Sequence, residues 1–301
     1  MEVVAGIVAN DPRARLTLRS FASSEGAKVT LWSHLLLRFD LSRQIKGATL
    51  SFSAPTDLRS EVSYIEGTRP FPILFIHGYT GTPQTLYPQY LRAAEEGFSF
   101  EVPLLPGHGT TIEEMVETRF SDYVEKVSQV AGELIAKYGS IFVVGISMGG
   151  ALSIDLALKR PSQIRAMVLI NPLIAPPAPS FLEMLDQGIE SGVEIFPGVG
   201  SDIKDPEVKE ASYGGSPLRA AKSMFAATVE LAPQVEKLEM PILLFNSVDD
   251  HVVSPDSGEL LVAKCKNIEQ VILKNSFHVA TLDFDKEVIS DGMISFFDSL
   301  Q

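Results

Sequence analysis

One pentapeptide constrains this chain more than any other feature. Gly145-Ile146-Ser147-Met148-Gly149 sits between an apolar run, Ile141 to Ile146, and a segment with helical character from 148 to 159. The run reads as a buried strand. The segment after it closes on Lys159, Arg160 and Pro161, a cationic stop suited to a helix end. A serine between strand and helix, flanked by glycines two positions away on each side, requires a tight and strained turn. Only small residues leave room for that turn. It exposes Ser147 beyond the strand end, near the N-terminus of the next helix, where negative charge is favoured.

The rest of the chain is consistent with that turn. From residue 70 onward, short apolar runs alternate with amphipathic segments. This alternation predicts the α/β class: a mostly parallel central sheet with helices on both faces. Strands are predicted at 73–76, 98–102, 141–146, 166–170, 242–246 and 268–273. Helices are predicted at 121–138, with Ser121 as N-cap, at 148–159 and at 284–299. The last helix places Val288, Ile289, Met293, Phe296 and Phe297 on one face, which reads as core packing.

Residues 172–217 are rich in Pro and Gly. An insertion after a central strand lies over the C-terminal edge of the sheet, where ligands bind in open α/β folds. It is therefore read as a cap within a domain spanning 66–301. Residues 1–65 form an N-terminal extension without catalytic signals, with possible edge strands at 27–37 and 48–53.

A serine nucleophile needs a base and an orienting acid, which follow it in the order Ser, Asp or Glu, His in this type of fold. Two histidines follow Ser147. His278, in Asn275-Ser276-Phe277-His278, lies between the last predicted strand and helix and is the candidate base. His251 follows Asp249 and Asp250 just after the strand at 242–246, the place for the acid; His251 itself reads as a solvated loop residue. Both aspartates are candidates on position alone. The small-residue loop His77-Gly78-Tyr79-Thr80-Gly81-Thr82 follows the strand at 73–76. The backbone N–H groups of Tyr79 and Met148 are the candidate oxyanion hole. His77 and His108 read as turn-stabilising residues. No His, Cys, Asp and Glu cluster has metal-ligand spacing, so no metal or other cofactor is expected.

Charge and cysteine content narrow the partners. The formal net charge is −13, which argues against nucleic acid and anionic membrane surfaces. No stretch reaches a membrane-spanning length, and the N-terminus, with Arg13, Arg15 and Arg19, is unlike a signal peptide. The single cysteine, Cys265, reads as packing. The expectation is a cytoplasmic protein acting on a small molecule.

Several segments together resemble the bacterial monoacylglycerol lipases and the similar thermostable carboxylesterases. They are His77–Pro83, Leu105–Thr110, Gly145–Gly150, Gly198–Tyr213, Asp249–Val253 and Asn275–Asp283. The resemblance runs from about residue 64 to the end and implies the α/β-hydrolase fold. It selects Asp250 over Asp249 and so implies a Ser147, Asp250, His278 triad with Tyr79 and Met148 as oxyanion donors. Tyr79 stands where the family usually has Phe, a change that leaves the backbone donor intact. The resemblance also implies that Val199 lines a glycerol pocket and that Glu210 accepts hydrogen bonds from glycerol hydroxyls. The implied activity is hydrolysis of monoacylglycerols through an acyl-enzyme. The alternatives are a carboxylesterase for short-chain or aromatic esters, a related acyltransferase or perhydrolase, and a non-catalytic binding protein on the same fold.

Overall fold

The computed structural model describes residues 61–198 and 201–300. They belong to one unit, Arg59–Gln301. The predicted strands at 27–37 and 48–53 lie outside the described residues, as does Val199. Among the described residues the strands are β1 (Val62–Ile65), β2 (Ile73–Ile76), β3 (Phe100–Val102), β4 (Ile141–Ile146), β5 (Ile164–Ile170), β6 (Ile195–Pro197), β7 (Gly215–Pro217), β8 (Ile242–Ser247) and β9 (Ile268–Leu273). The helices are α1 (Tyr87–Glu95), α2 (Ile112–Val116), α3 (Phe120–Tyr138), α4 (Met148–Lys159), α5 (Pro179–Glu190), α6 (Leu218–Leu231), α7 (Asp256–Lys264) and α8 (Lys286–Asp298).

Seven strands form one sheet in the order β1-β3-β2-β4-β5-β8-β9. All neighbours are parallel except β1, which pairs antiparallel with β3. This is the α/β-hydrolase architecture expected from the sequence. Every residue of β2 and β4 is buried, because helices cover both faces there. The edge strand β9 is different: only Leu273 is buried, so its apolar run does not mark a two-sided core strand.

Two local expectations need correction. The long helix α3 is capped at Arg119, not Ser121: the Arg119 N–H donates to Asp122 Oδ2 at 2.7 Å, and Asp122 N–H returns to the Arg119 carbonyl at 3.0 Å. The acidic side chain at the third helical position holds the free backbone donor there. On α8, Ile289, Met293 and Phe297 face the core, joined by Ile294, whereas Val288 is exposed. The buried stripe is narrower than its hydrophobic residues suggest.

Because β2, β4, β5, β8 and β9 run parallel, all their C-terminal ends emerge at one edge. The cap rises between β5 and α6, and carries α5 and the two-stranded β6–β7 ribbon. Among the described residues, no helix is long and apolar enough to cross a membrane.

Candidate active site

Ser147 is the hinge between β4 and α4. Its backbone adopts φ 55° and ψ −119°, a region that costs a non-glycine residue about 1–3 kcal/mol. The surroundings hold it there. Its N–H donates to the Ile170 carbonyl at 3.1 Å, and its own carbonyl accepts from Gly150 at 2.9 Å and Leu173 at 3.0 Å. The glycines are required by contact. A Cβ on Gly145 would lie 2.3 Å from the Gly149 carbonyl oxygen, and one on Gly149 would lie 2.1 Å from the Ile76 oxygen.

The loop after β2 packs directly on this turn: a Cβ on Gly78 would stand 3.3 Å from Ser147 Cβ. Tyr79 lines the same cavity as Ser147, and its hydroxyl donates to the Pro217 carbonyl at 2.7 Å, tying the loop to the cap. Met148 is the first residue of α4, where backbone N–H groups have no partner within the helix. Met148 thus follows the serine directly, and Tyr79 follows Gly78, the residue packed against it.

His77 and His108 brace these loops from beneath. The Leu105 N–H donates to His77 Nε2 at 3.1 Å, which places the ring proton on Nδ1, 2.9 Å from the Gly78 carbonyl. Burial, with the neighbouring His108, pushes its pKa down to about 3. His108 bonds the Pro106 carbonyl through Nδ1 at 3.0 Å, and burial pushes it down to about 4. Both rings are neutral at ordinary pH and serve as struts.

His278 follows β9 and Asp250 follows β8, and their side chains meet, with Nδ1 to Oδ2 at 2.8 Å. Burial raises the Asp250 pKa, but the hydrogen bond and charge of His278 and the N–H groups of Val252 and Val253 outweigh it, leaving the carboxyl below its usual range. Those two N–H groups each reach Asp250 Oδ1 at 2.8 Å. Asp249 instead points to Lys204 at 3.7 Å, with half its side chain exposed. His251 is exposed and pairs with Asp202 at 2.9 Å.

Two residues that the sequence reading passed over hold the His278 loop. Asn171, fully buried with φ 42°, donates from Nδ2 to the His278 carbonyl at 2.8 Å and to Ser247 Oγ at 2.9 Å. Its only sequence signal is its place directly after β5 and before Pro172. Asp202 accepts the His278 backbone N–H at 3.0 Å.

Ser147, His278, Gly78 and Tyr79 line a cavity of about 400 Å³ under the cap. One part of the remaining lining is polar: Thr80, Thr85 and Glu210. Thr85 Oγ1 donates to Glu210 Oε1 at 2.8 Å. Burial raises the Glu210 pKa, against the opposing pull of Thr85 and His278. The other part is apolar and comes from cap residues such as Phe181 and Leu185 and from Met224 and Phe225 on α6. The Phe181 and Phe225 rings meet edge to face at 4.9 Å between centroids. Among the described residues, no group of three or more His, Cys, Asp or Glu could hold a metal ion.

The chain is 35% identical to the thermostable monoacylglycerol lipase of Bacillus sp. (strain H-257) over 233 residues, 76% of this chain and 90% of that protein. It belongs to the bacterial monoacylglycerol lipase and carboxylesterase family of α/β-hydrolases. Within this family, a carboxylesterase of Bacillus subtilis (strain 168) is 25% identical, covering 76% of this chain and 92% of that protein. The family model for serine aminopeptidase, S33, matches residues 72–196, a segment that includes Ser147 and ends before Asp250 and His278. A solved structure from work on the metagenome-derived lipolytic enzymes LipS and LipT superposes with a TM-score of 0.75 at 32% identity. That match covers 80% of this chain and 98% of the other. The monoacylglycerol lipase of Paleococcus ferrophilus shares the fold, with a TM-score of 0.67 at 17% identity, covering 80% of this chain and 100% of that one.

Proposed function

We propose that this protein is a serine ester hydrolase that cleaves monoacylglycerols to fatty acid and glycerol. Ser147 is the nucleophile, His278 the general base and acid, and Asp250 the residue that orients and stabilises the imidazole. The observation that carries the reading is the shared cavity. A serine in an elbow turn and a histidine paired with a buried aspartate open onto one chamber with polar and apolar linings.

His278 Nδ1 faces Asp250, so Nε2 is the nitrogen that takes the Ser147 proton as Oγ attacks the ester carbonyl. The developing oxyanion is met by the N–H groups of Tyr79 and Met148; losing one such donor typically costs ~10²–10³ in rate. The protonated His278 then gives its proton to the leaving alcohol. Water, deprotonated by the same nitrogen, attacks the acyl-enzyme and frees the acid. Glu210 accepts hydrogen bonds from the glycerol hydroxyls while the apolar cap side chains take the acyl chain. The name of the Bacillus sp. relative favours monoacylglycerol within the ester class. A cytoplasmic place of action is part of the same proposal, and the lone buried thiol of Cys265 suits a reducing compartment.

Two measurements test this. A fluorophosphonate probe should label the wild type and not Ser147→Ala; an unlabelled wild type would point to a non-catalytic binding protein. Rates on monoacylglycerol, diacylglycerol and p-nitrophenyl esters should favour the monoacylglycerol, and equal rates would leave a general carboxylesterase.

A further inference from the structure

Two carboxylates stitch the cap to the loop that carries His278. From the cap side, Asp202 Oδ2 accepts the backbone N–H groups of His278 at 3.0 Å and His251 at 3.2 Å, while Oδ1 lies 2.9 Å from His251 Nδ1. The Asp202 carbonyl also accepts the Val279 N–H at 3.0 Å. From the loop side, the fully buried Asp283 accepts the N–H groups of Lys204 at 2.7 Å, Asp205 at 3.1 Å and Phe277 at 3.0 Å. Each segment thus holds the other through its backbone.

This arrangement bears on the base directly. The His278 residue is gripped at its N–H by Asp202 and at its carbonyl by Asn171 Nδ2. Asp202 also reaches the neighbouring loop through His251, the residue that follows Asp250. One carboxylate therefore touches both loops whose side chains form the 2.8 Å His278–Asp250 pair. The connection continues into the alcohol pocket: Ser201, next to Asp202, accepts the Glu210 N–H at 3.1 Å through its hydroxyl.

We propose that Asp202 is a positioning residue for the His278–Asp250 pair, acting from the cap through the two loop backbones. The inference rests on the serine hydrolase reading. A carboxylate is a stronger acceptor of backbone N–H groups than a neutral oxygen, and the Asp202 side chain is only 14% exposed, so solvent competes weakly for it. Without its side chain the His278 loop keeps Asn171, Asp283 and the residue-202 carbonyl as holds, but the His278 N–H loses its acceptor and the carboxylate no longer joins that backbone to the acid loop. A displacement near 1 Å at the reacting groups lowers turnover by roughly a hundredfold.

The test compares wild type with Asp202→Ala, Asp202→Asn and His251→Ala. It reads kcat and KM on a p-nitrophenyl ester, fluorophosphonate labelling rate and Tm. Asp202→Ala should lower kcat and labelling together by about a hundredfold, with KM within about twofold. Asp202→Asn keeps a carbonyl oxygen for the His278 N–H and should recover kcat to within about tenfold of wild type. His251→Ala leaves the Asp202–His278 contact in place and should stay within about threefold. An Asp202→Ala enzyme with wild-type kcat overturns the proposal. So does an Asp202→Asn enzyme as impaired as the alanine variant with KM raised and Tm lowered, since that is the behaviour of a mere scaffold residue. A wild type inert to both ester and probe overturns the hydrolase reading and this inference together.

Discussion

His278 Nδ1 and Asp250 Oδ2 stand 2.8 Å apart although the residues are 28 positions apart and follow different strands. Asp249 is bonded to the same chain segment one residue away, yet it turns outward to Lys204. The difference between adjacent aspartates makes the role of the pair measurable.

Asp250→Asn should reduce kcat on any ester by ~10³–10⁴, because the amide no longer fixes the imidazole tautomer or stabilises its cation. Asp249→Asn, which loses only an exposed ion pair, should stay within about twofold of wild type. Steady-state kinetics on both variants decide the assignment; equal losses would mean that the acid has been placed on the wrong residue.

Glu210 is held toward the cavity by Thr85, and Gly81 leaves room for it: a Cβ there would lie 2.9 Å from Glu210 Oε1. Glu210→Ala should raise KM for a monoacylglycerol about tenfold, through loss of the carboxyl acceptor for the glycerol hydroxyls. A simple alkyl ester of the same acid has no hydroxyls to lose and should change little. Equal effects on the two substrates would remove Glu210 from the alcohol pocket.

Gly149→Ala drives a Cβ onto the backbone oxygen of Ile76 at 2.1 Å, a contact that only movement of β2 against α4 can relieve. It should abolish fluorophosphonate labelling and sharply lower the yield of folded protein. Gly139, at the end of α3, has φ 79° and open space around its would-be Cβ. Gly139→Ala should therefore cost only about 1–2 kcal/mol of left-handed strain, with turnover intact. Chemical denaturation and probe labelling of the two variants separate crowding from backbone strain.

The buried histidines make the fold sensitive to acid. In the folded chain His77 and His108 resist protonation down to about 3 and about 4, whereas the unfolded chain protonates them near 6.5. Between those values the unfolded state binds more protons, so stability is full above 6.5 and falls as pH drops. Each contributes a slope of up to roughly 1.4 kcal/mol per pH unit in that window. Asp250, depressed in the folded state, adds a further loss only below the ordinary carboxylate range. Melting curves from pH 7.5 to 4.5 should stay level to about 6.5 and decline below it, less steeply in His108→Gln. A flat profile would contradict buried neutral histidines.

Much of the fold was legible because its signals are local. Val143 and its neighbours in β4 read as a buried strand from their side chains alone, and the elbow glycines read as a tight turn because a Cβ cannot fit there. Boundaries were less legible where one side-chain hydrogen bond or a tertiary contact sets them. The cap at Arg119 depends on Asp122 three residues later, and the exposure of Val288 depends on which face of α8 meets the sheet. The short strands β6 and β7 pair only with each other across the cap, so neither carries a period long enough to read.

The site divides in the same way. The sequence by itself singled out the candidate nucleophile, its elbow and the candidate base, because chain order and strand-loop context restrict where each can stand. It left Asp249 and Asp250 equal until a family resemblance separated them, since adjacent residues share a loop but point differently. The tertiary structure decided which carboxylate meets His278, and it alone brought Asn171 and Asp202 to that loop from positions 107 and 76 residues away. Hydrogen bonds to a backbone leave no mark on the residue that receives them, so residues that act through another's main chain become visible only once the chain has folded.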